Sequence, residues 1–172
     1  MRWSLLLCSL VSFYNAAAVP DPVADALNAP AQIGEARFTY YLWDVYDATL
    51  YSPQGQWKNQ PPYALNLTYL RDLKGEKIAQ RSIDEIKKQG FDDAEKLAIW
   101  RQKMTQIFPD VHEDDELLGI AVSAQTTRFY HNGNLIGTVD DSEFTQWFFA
   151  IWLSENTSEP EFRQKLLSGV EQ

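Results

Sequence analysis

Cysteine is almost missing from this chain of 172 residues: Cys8 is the only one, and it lies in an N-terminal segment with the pattern of a removable leader. A mature chain without thiols has no disulfide framework, no thiolate metal site and no cysteine nucleophile. Histidine is nearly as scarce. His112 and His131 fall in separate loop and turn contexts, without the spaced ligands a metal ion needs. Serine and aspartate are plentiful, but no G-x-S-x-G elbow presents a serine nucleophile. The acidic run Glu113 to Glu116 lacks the alternating ligands and glycine of a calcium loop. No metal and no cofactor is expected.

Positive charge is also in deficit, with 15 Lys and Arg against 24 Asp and Glu and a formal net charge of −9. Such a chain has no basic footprint for nucleic acid, and its charge reads first as a solubilising surface. Long apolar runs are lacking too. Met1 to Pro20 carries Arg2, an apolar stretch from Leu5 to Phe13 and the small residues Ala16, Ala17 and Ala18, the pattern of a secretory signal peptide cleaved near Ala18. That stretch is shorter than the roughly 20 residues of a membrane-spanning helix, and no later segment is long and apolar enough. The expectation is a periplasmic or secreted protein with no integral membrane segment after cleavage.

What is abundant is core material: 45% of residues are hydrophobic and 13% aromatic. This suffices for one domain, read as residues 35–172 after a weakly structured lead-in at 19–34. Arg37 to Leu50 is dense enough in aromatic and branched residues for one long strand or a strand pair. Tyr63 to Arg71 is the clearest strand, with Tyr63, Leu65, Leu67 and Tyr69 on one face, and Arg71 continues that apolar phase. Ser82 with Glu85 reads as a capping box for a short helix ending at Gly90. A second helix starts near Asp92 or Asp93 and stops at Pro109, followed by a strand over Leu117 to Ala124.

The C-terminal quarter is punctuated most clearly. Asn132 and Gly133 form a two-residue hairpin turn, and Asp140, Asp141 and Ser142 offer caps for a helix carrying Phe144, Trp147, Phe148, Ile151 and Trp152. Ser158 and Glu161 form a second capping box ahead of a last helix with Pro160 in its first turn. Strands, two helices, three strands and two helices joined by short connections predict an α+β fold: an antiparallel β-sheet with helices layered on one face.

Several segments together resemble the chalcone isomerase-like family, in its small exported bacterial branch. They are VYDATLY (Val45 to Tyr51), ALNLTYLRDLKGEKIAQRSIDEI (Ala64 to Ile86), FPDV (Phe108 to Val111), RFYHNGNLIGTVDDSEFTQWFFAIWL (Arg128 to Leu153) and SEPEFRQKLL (Ser158 to Leu167). The resemblance implies an open-faced sandwich with an apolar cleft between sheet and helices. In ring-closing members that cleft converts chalcones without cofactor, and in sibling proteins it holds fatty acids. The enzymes' polar set is not retained here. Their strand threonine falls at Tyr41, their tyrosine at Ile83 or Ile86, their asparagine at Gly90 or Asp93 and their helix threonine at Ile151, and no arginine occurs between Val19 and Ala36. Isoleucines cannot donate to a developing enolate, and losing one such donor costs about 3 kcal/mol of transition-state stabilisation.

The resulting expectation is a noncatalytic binding protein for a small apolar or amphipathic, fatty acid-like ligand, with no catalytic residue assigned. Its candidate ligand-binding residues are Arg71, Tyr41, Tyr40, Ile151 and Trp152. Arg71 has two readings, as the cation for a ligand carboxylate or as a rim residue paired with Asp44, Asp47 or Asp72. Tyr46 and Trp147 have packing roles or cleft roles open to them. The alternatives are a cofactor-independent isomerase or lyase acting on an enone-like substrate, and an interaction protein whose cleft is filled by Trp147, Phe148 and Trp152.

Overall fold

The fold is that of a computed structural model describing residues 18–169; the expected leader up to Ala17 lies outside the described residues. Alternation of apolar and polar residues builds six strands: β1 (Pro30–Tyr40), β2 (Trp43–Pro53), β3 (Tyr63–Tyr69), β4 (Glu116–Ala121), β5 (Thr126–His131) and β6 (Asn134–Asp140). They form one sheet in the order of the chain, each strand antiparallel to its neighbours. Register sets the two faces. Ala48, Leu67 and Leu117 lie side by side across β2, β3 and β4, as do Tyr51, Ala64 and, one strand on, Ile120 on the opposite face.

The first face carries the main core. Four helices cover it: α2 (Gly75–Lys88), α3 (Ala94–Ile107), α4 (Ser142–Leu153) and α5 (Pro160–Leu166). The expected face of α4 is buried, with Phe144, Phe148, Ile151 and Trp152 inside, and Phe129 of β5 packs edge-on against both Phe144 and Phe148. Asp141 caps α4 by accepting from Phe144 N at 3.0 Å, and its other oxygen takes the Trp100 indole N–H at 2.9 Å, tying α3 to the start of α4. The Asn132-Gly133 turn closes the β5–β6 hairpin with both residues at positive φ, +47° and +79°.

The structure corrects several local readings. The stretch 19–34 contains a short helix, Asp21–Ala26 (α1), and the first residues of β1. Helix α1 lies on the sheet's other face, where Val23 and Leu27 cover Tyr51, Ala64, Leu118 and Ile120, so the helices are not all on one side. Helix α2 begins at Gly75, not at Ser82. The Ser82 hydroxyl bonds back to the Ile78 carbonyl inside the helix instead of capping its start. Helix α5 is preceded by Glu159 and has no side-chain cap, so Ser158 and Glu161 form no capping box.

Candidate functional site

Between the first three strands and helices α2, α4 and α5 lies a cleft of about 460 Å³. Such a volume falls within the roughly 300–1,000 Å³ of small-ligand sites. Its floor is Leu67 and Tyr69 of β3, its back wall Phe148, Ile151 and Trp152 of α4, and its side Phe38 and Tyr46 stacked 5.1 Å apart with Phe162 of α5 edge-on to both. Two other hollows of 470 and 530 Å³ lie beside α1 and between α2 and α3. The first of these lies between α1 and strands β4 and β5 on the sheet's other face, and the second between two helices; the cleft differs from both in lying between the sheet and three helices of the main core.

Few polar atoms face this cleft. The Trp152 indole donates to the Tyr46 hydroxyl at 3.0 Å, fixing both rings and leaving the phenol its own proton to donate. Burial pushes the Tyr46 phenol up, against the opposing effect of the Trp152 bond, and pushes the Tyr69 phenol up as well. Both phenols therefore stay neutral. Deeper on α2, Glu85 is buried and accepts from Ser158 at 2.5 Å, with Arg81 and Lys88 at 2.7 and 2.9 Å. Burial alone would raise its pKa, but the Ser158 and Lys88 hydrogen bonds and the charges of Arg81 and Lys88 reverse that and hold it below the ordinary carboxylate value.

The cleft lining carries three cations, Arg71, Lys77 and Arg81, beside the carboxylates of Asp72, Glu85 and Glu159. Arg71, just past β3, lies with its guanidinium 4.9 Å from the centre of the Trp43 ring, and Arg81 lies 5.5 Å from that of Tyr40. Neither Arg71 nor Lys77, the third cation lining the cleft, enters an ion pair among the described residues. The rim pairing open to Arg71 is taken by another residue: Arg37 holds Asp47 at 2.7 and 2.8 Å and Asp44 at 3.2 Å. Asp72, which also lines the mouth, accepts from the Glu113 backbone N–H at 3.3 Å.

Arg71, Tyr40, Ile151 and Trp152 thus meet around one cavity. Tyr41 does not join them. It and Leu42 form the β1–β2 turn, where Tyr41 has φ +54° and is 84% exposed. Trp147 turns away from the cleft and packs on Phe91 at 5.1 Å. Ile83 and Ile86 are buried in the core beneath α2. Sequence reasoning missed Arg81 and the Glu85–Ser158 pair. Arg81 could have been found four residues after Lys77 on one helical face, but the long-range pair has no local signal. It also placed the histidines apart, whereas His112 and His131 both approach the Asp115 carboxylate, at 3.5 and 3.3 Å.

A profile of the chalcone isomerase-like family matches residues 36–168. The chain belongs to the chalcone isomerase-like family. The match runs from within β1 through the other five strands and all four helices of the main core. Among solved structures, a fatty-acid binding protein of Arabidopsis thaliana is similar in fold, with a TM-score of 0.63 at 12% identity, over 88% of this chain and 90% of that one. No curated protein matches the chain by sequence. Fold is thereby shared, and the chemistry of the site rests on this chain's own residues.

Proposed function

We propose that the protein is an exported, noncatalytic binder of a small amphipathic ligand of the fatty acid class, held with its chain in the cleft and its carboxylate at the mouth. The observation that carries this reading is the pairing of an aromatic and aliphatic cavity with Arg71, a cation stacked on Trp43 and engaged by no carboxylate among the described residues. Burial of the ligand's methylenes supplies affinity at about 0.8 kcal/mol each, and the guanidinium supplies orientation. The open cavity beside Ile151 argues against a cleft filled by its own aromatic residues. Membership of the family and a fold shared with a fatty-acid binding protein support the binding reading. Export rests on the leader pattern of Met1 to Ala18.

The test is mass spectrometry of lipids extracted from the natively purified protein, together with displacement of a fluorescent fatty acid. Co-purified fatty acid and saturable displacement are the expected results. Finding neither overturns the reading. Turnover of a chalcone or related enone would support catalysis instead, and the neutral phenol of Tyr46 is the group to change in that case, since Tyr41 lies outside the cleft.

A further inference from the structure

The β1–β2 hairpin ends in four consecutive large apolar or aromatic residues, and all four are exposed: Tyr40 by 49%, Tyr41 by 84%, Leu42 by 93% and Trp43 by 63%. Among the described residues, large exposed hydrophobics occur otherwise only at Ile99 and Leu135, each alone. The cluster is therefore a patch and not scatter, and a patch of this kind marks an interaction site. Its backbone supports the same view. Tyr41 sits in the left-handed region at φ +54°, where glycine or asparagine would serve a tight turn better than an aromatic residue.

We propose that this hairpin tip docks on the surface of a lipid bilayer and brings the cleft mouth to the membrane, so that ligand passes between lipid and cavity without crossing water. Two features select a bilayer. Tyr, Trp and Leu projecting from a short rigid turn, with cations level with the outer rings, is the arrangement that settles at a headgroup boundary. Here Arg71 lies against Trp43, and Arg81, itself paired with Glu85, lies against Tyr40. Arg71 and Lys77 enter no ion pair among the described residues and are placed to meet anionic headgroups, beside the Asp72 and Glu159 carboxylates that share the lining. The patch is also continuous with the cavity, since Tyr40 and Trp43 belong to both. Docking follows from the tip alone. Its use in ligand transfer rests on the binding function proposed above.

The double variant Tyr41→Gly, Leu42→Ser tests this. Neither residue lines the cavity. A Gly-Ser pair suits a two-residue turn, so the variant should melt no lower than the parent protein. Ligand-free protein is floated with vesicles of phosphatidylethanolamine and phosphatidylglycerol. The parent protein is expected to rise with the vesicles. The variant's partition should fall by about tenfold or more, the effect of withdrawing one large apolar side chain from lipid. Fatty acid displacement measured without vesicles should be unchanged. Transfer of a fluorescent fatty acid from vesicles to protein should slow in the variant. A parent protein that stays with the buffer, or a variant that floats equally well, overturns docking. So does a parent dimer in size-exclusion chromatography that the variant disperses, which would assign the patch to a second copy of the chain. Vesicle binding without any fatty acid displacement would leave docking standing and remove the binding function.

Discussion

The Ser158 hydroxyl donates to the Glu85 carboxylate at 2.5 Å, joining the last turn of α2 to the segment that leads into α5 across the side of the cleft. Glu85 is buried, so its charge depends on this bond and on Arg81 and Lys88. Ser158→Ala removes a partner from a buried carboxylate, which costs about 1–3 kcal/mol. On a domain of this size each kcal/mol lowers Tm by about 2–4 °C. Because the folded carboxyl titrates below its ordinary 4.5, the unfolded chain takes up this proton first as pH falls. Glu85 therefore adds stability that is fully present above about pH 4.5 and is lost as pH falls further. Urea unfolding at neutral and acid pH should show a Ser158→Ala deficit that narrows in acid.

Arg71 offers a separable prediction for ligand class. Arg71→Met keeps an apolar stem but removes the guanidinium. A charge-assisted contact contributes about 1.5–3 kcal/mol, so affinity for a fatty acid should fall about 10- to 150-fold. Affinity for the alcohol of equal chain length should change little. Isothermal titration with the two ligands reads the difference, and equal losses for both would assign Arg71 to the wall through its contact with Trp43 rather than to the carboxylate.

Gly75, at the start of α2, tests how the cleft's helical wall is held. A Cβ there would lie 2.1 Å from the Phe108 carbonyl oxygen and 2.6 Å from that of Pro109, both backbone atoms. Asp110 anchors the same point, accepting from Gly75 N at 3.0 Å and from Lys74 at 2.6 Å. Helix propensity alone favours Gly75→Ala by about 1 kcal/mol. Overpacking against backbone opposes it by about 1–3 kcal/mol and should win, lowering the denaturation midpoint. A variant as stable as the parent protein would show that α2 can shift at its N-terminus.

The parts legible in the sequence are those governed by neighbours along the chain. The Asn132-Gly133 turn, the Asp141 cap and the alternation of β3 each depend on a few adjacent residues and stand as read. The two capping boxes failed for one shared reason. Glu85 and Ser158 do act as partners for buried polar groups, but for each other across the fold instead of for their own helix ends. A local motif cannot reveal that a tertiary partner has claimed its side chain. Arg71 was legible through strand phase. Tyr41 was not, because a tight turn built from Tyr41 and Leu42 has none of the usual turn residues. The cleft itself is a property of how layers stack, so its walls could be nominated from sequence but not its volume.

The Asp115 cluster predicts a second acid-sensitive element, where β4 begins beside the end of β5. Asp115 accepts from the Asn132 amide and the His112 backbone N–H, both at 2.8 Å, and His131 lies 3.3 Å away. These bonds, the Asn132 one foremost, hold its carboxyl far below the ordinary 3.8. The sign follows as for Glu85: the contribution is present above about pH 3.8 and declines as pH falls through the lower folded value. Asp115→Asn abolishes the titration while keeping the shape. Its stability at neutral pH should drop, since two donors lose a charged acceptor, and its acid limb should be shallower than that of the parent protein. Thermal melts taken from neutral pH to about pH 3 measure both. A variant with the parent's full acid slope would assign that slope to Glu85 and other carboxylates, and would leave Asp115 as a positioning group for the β5–β6 turn.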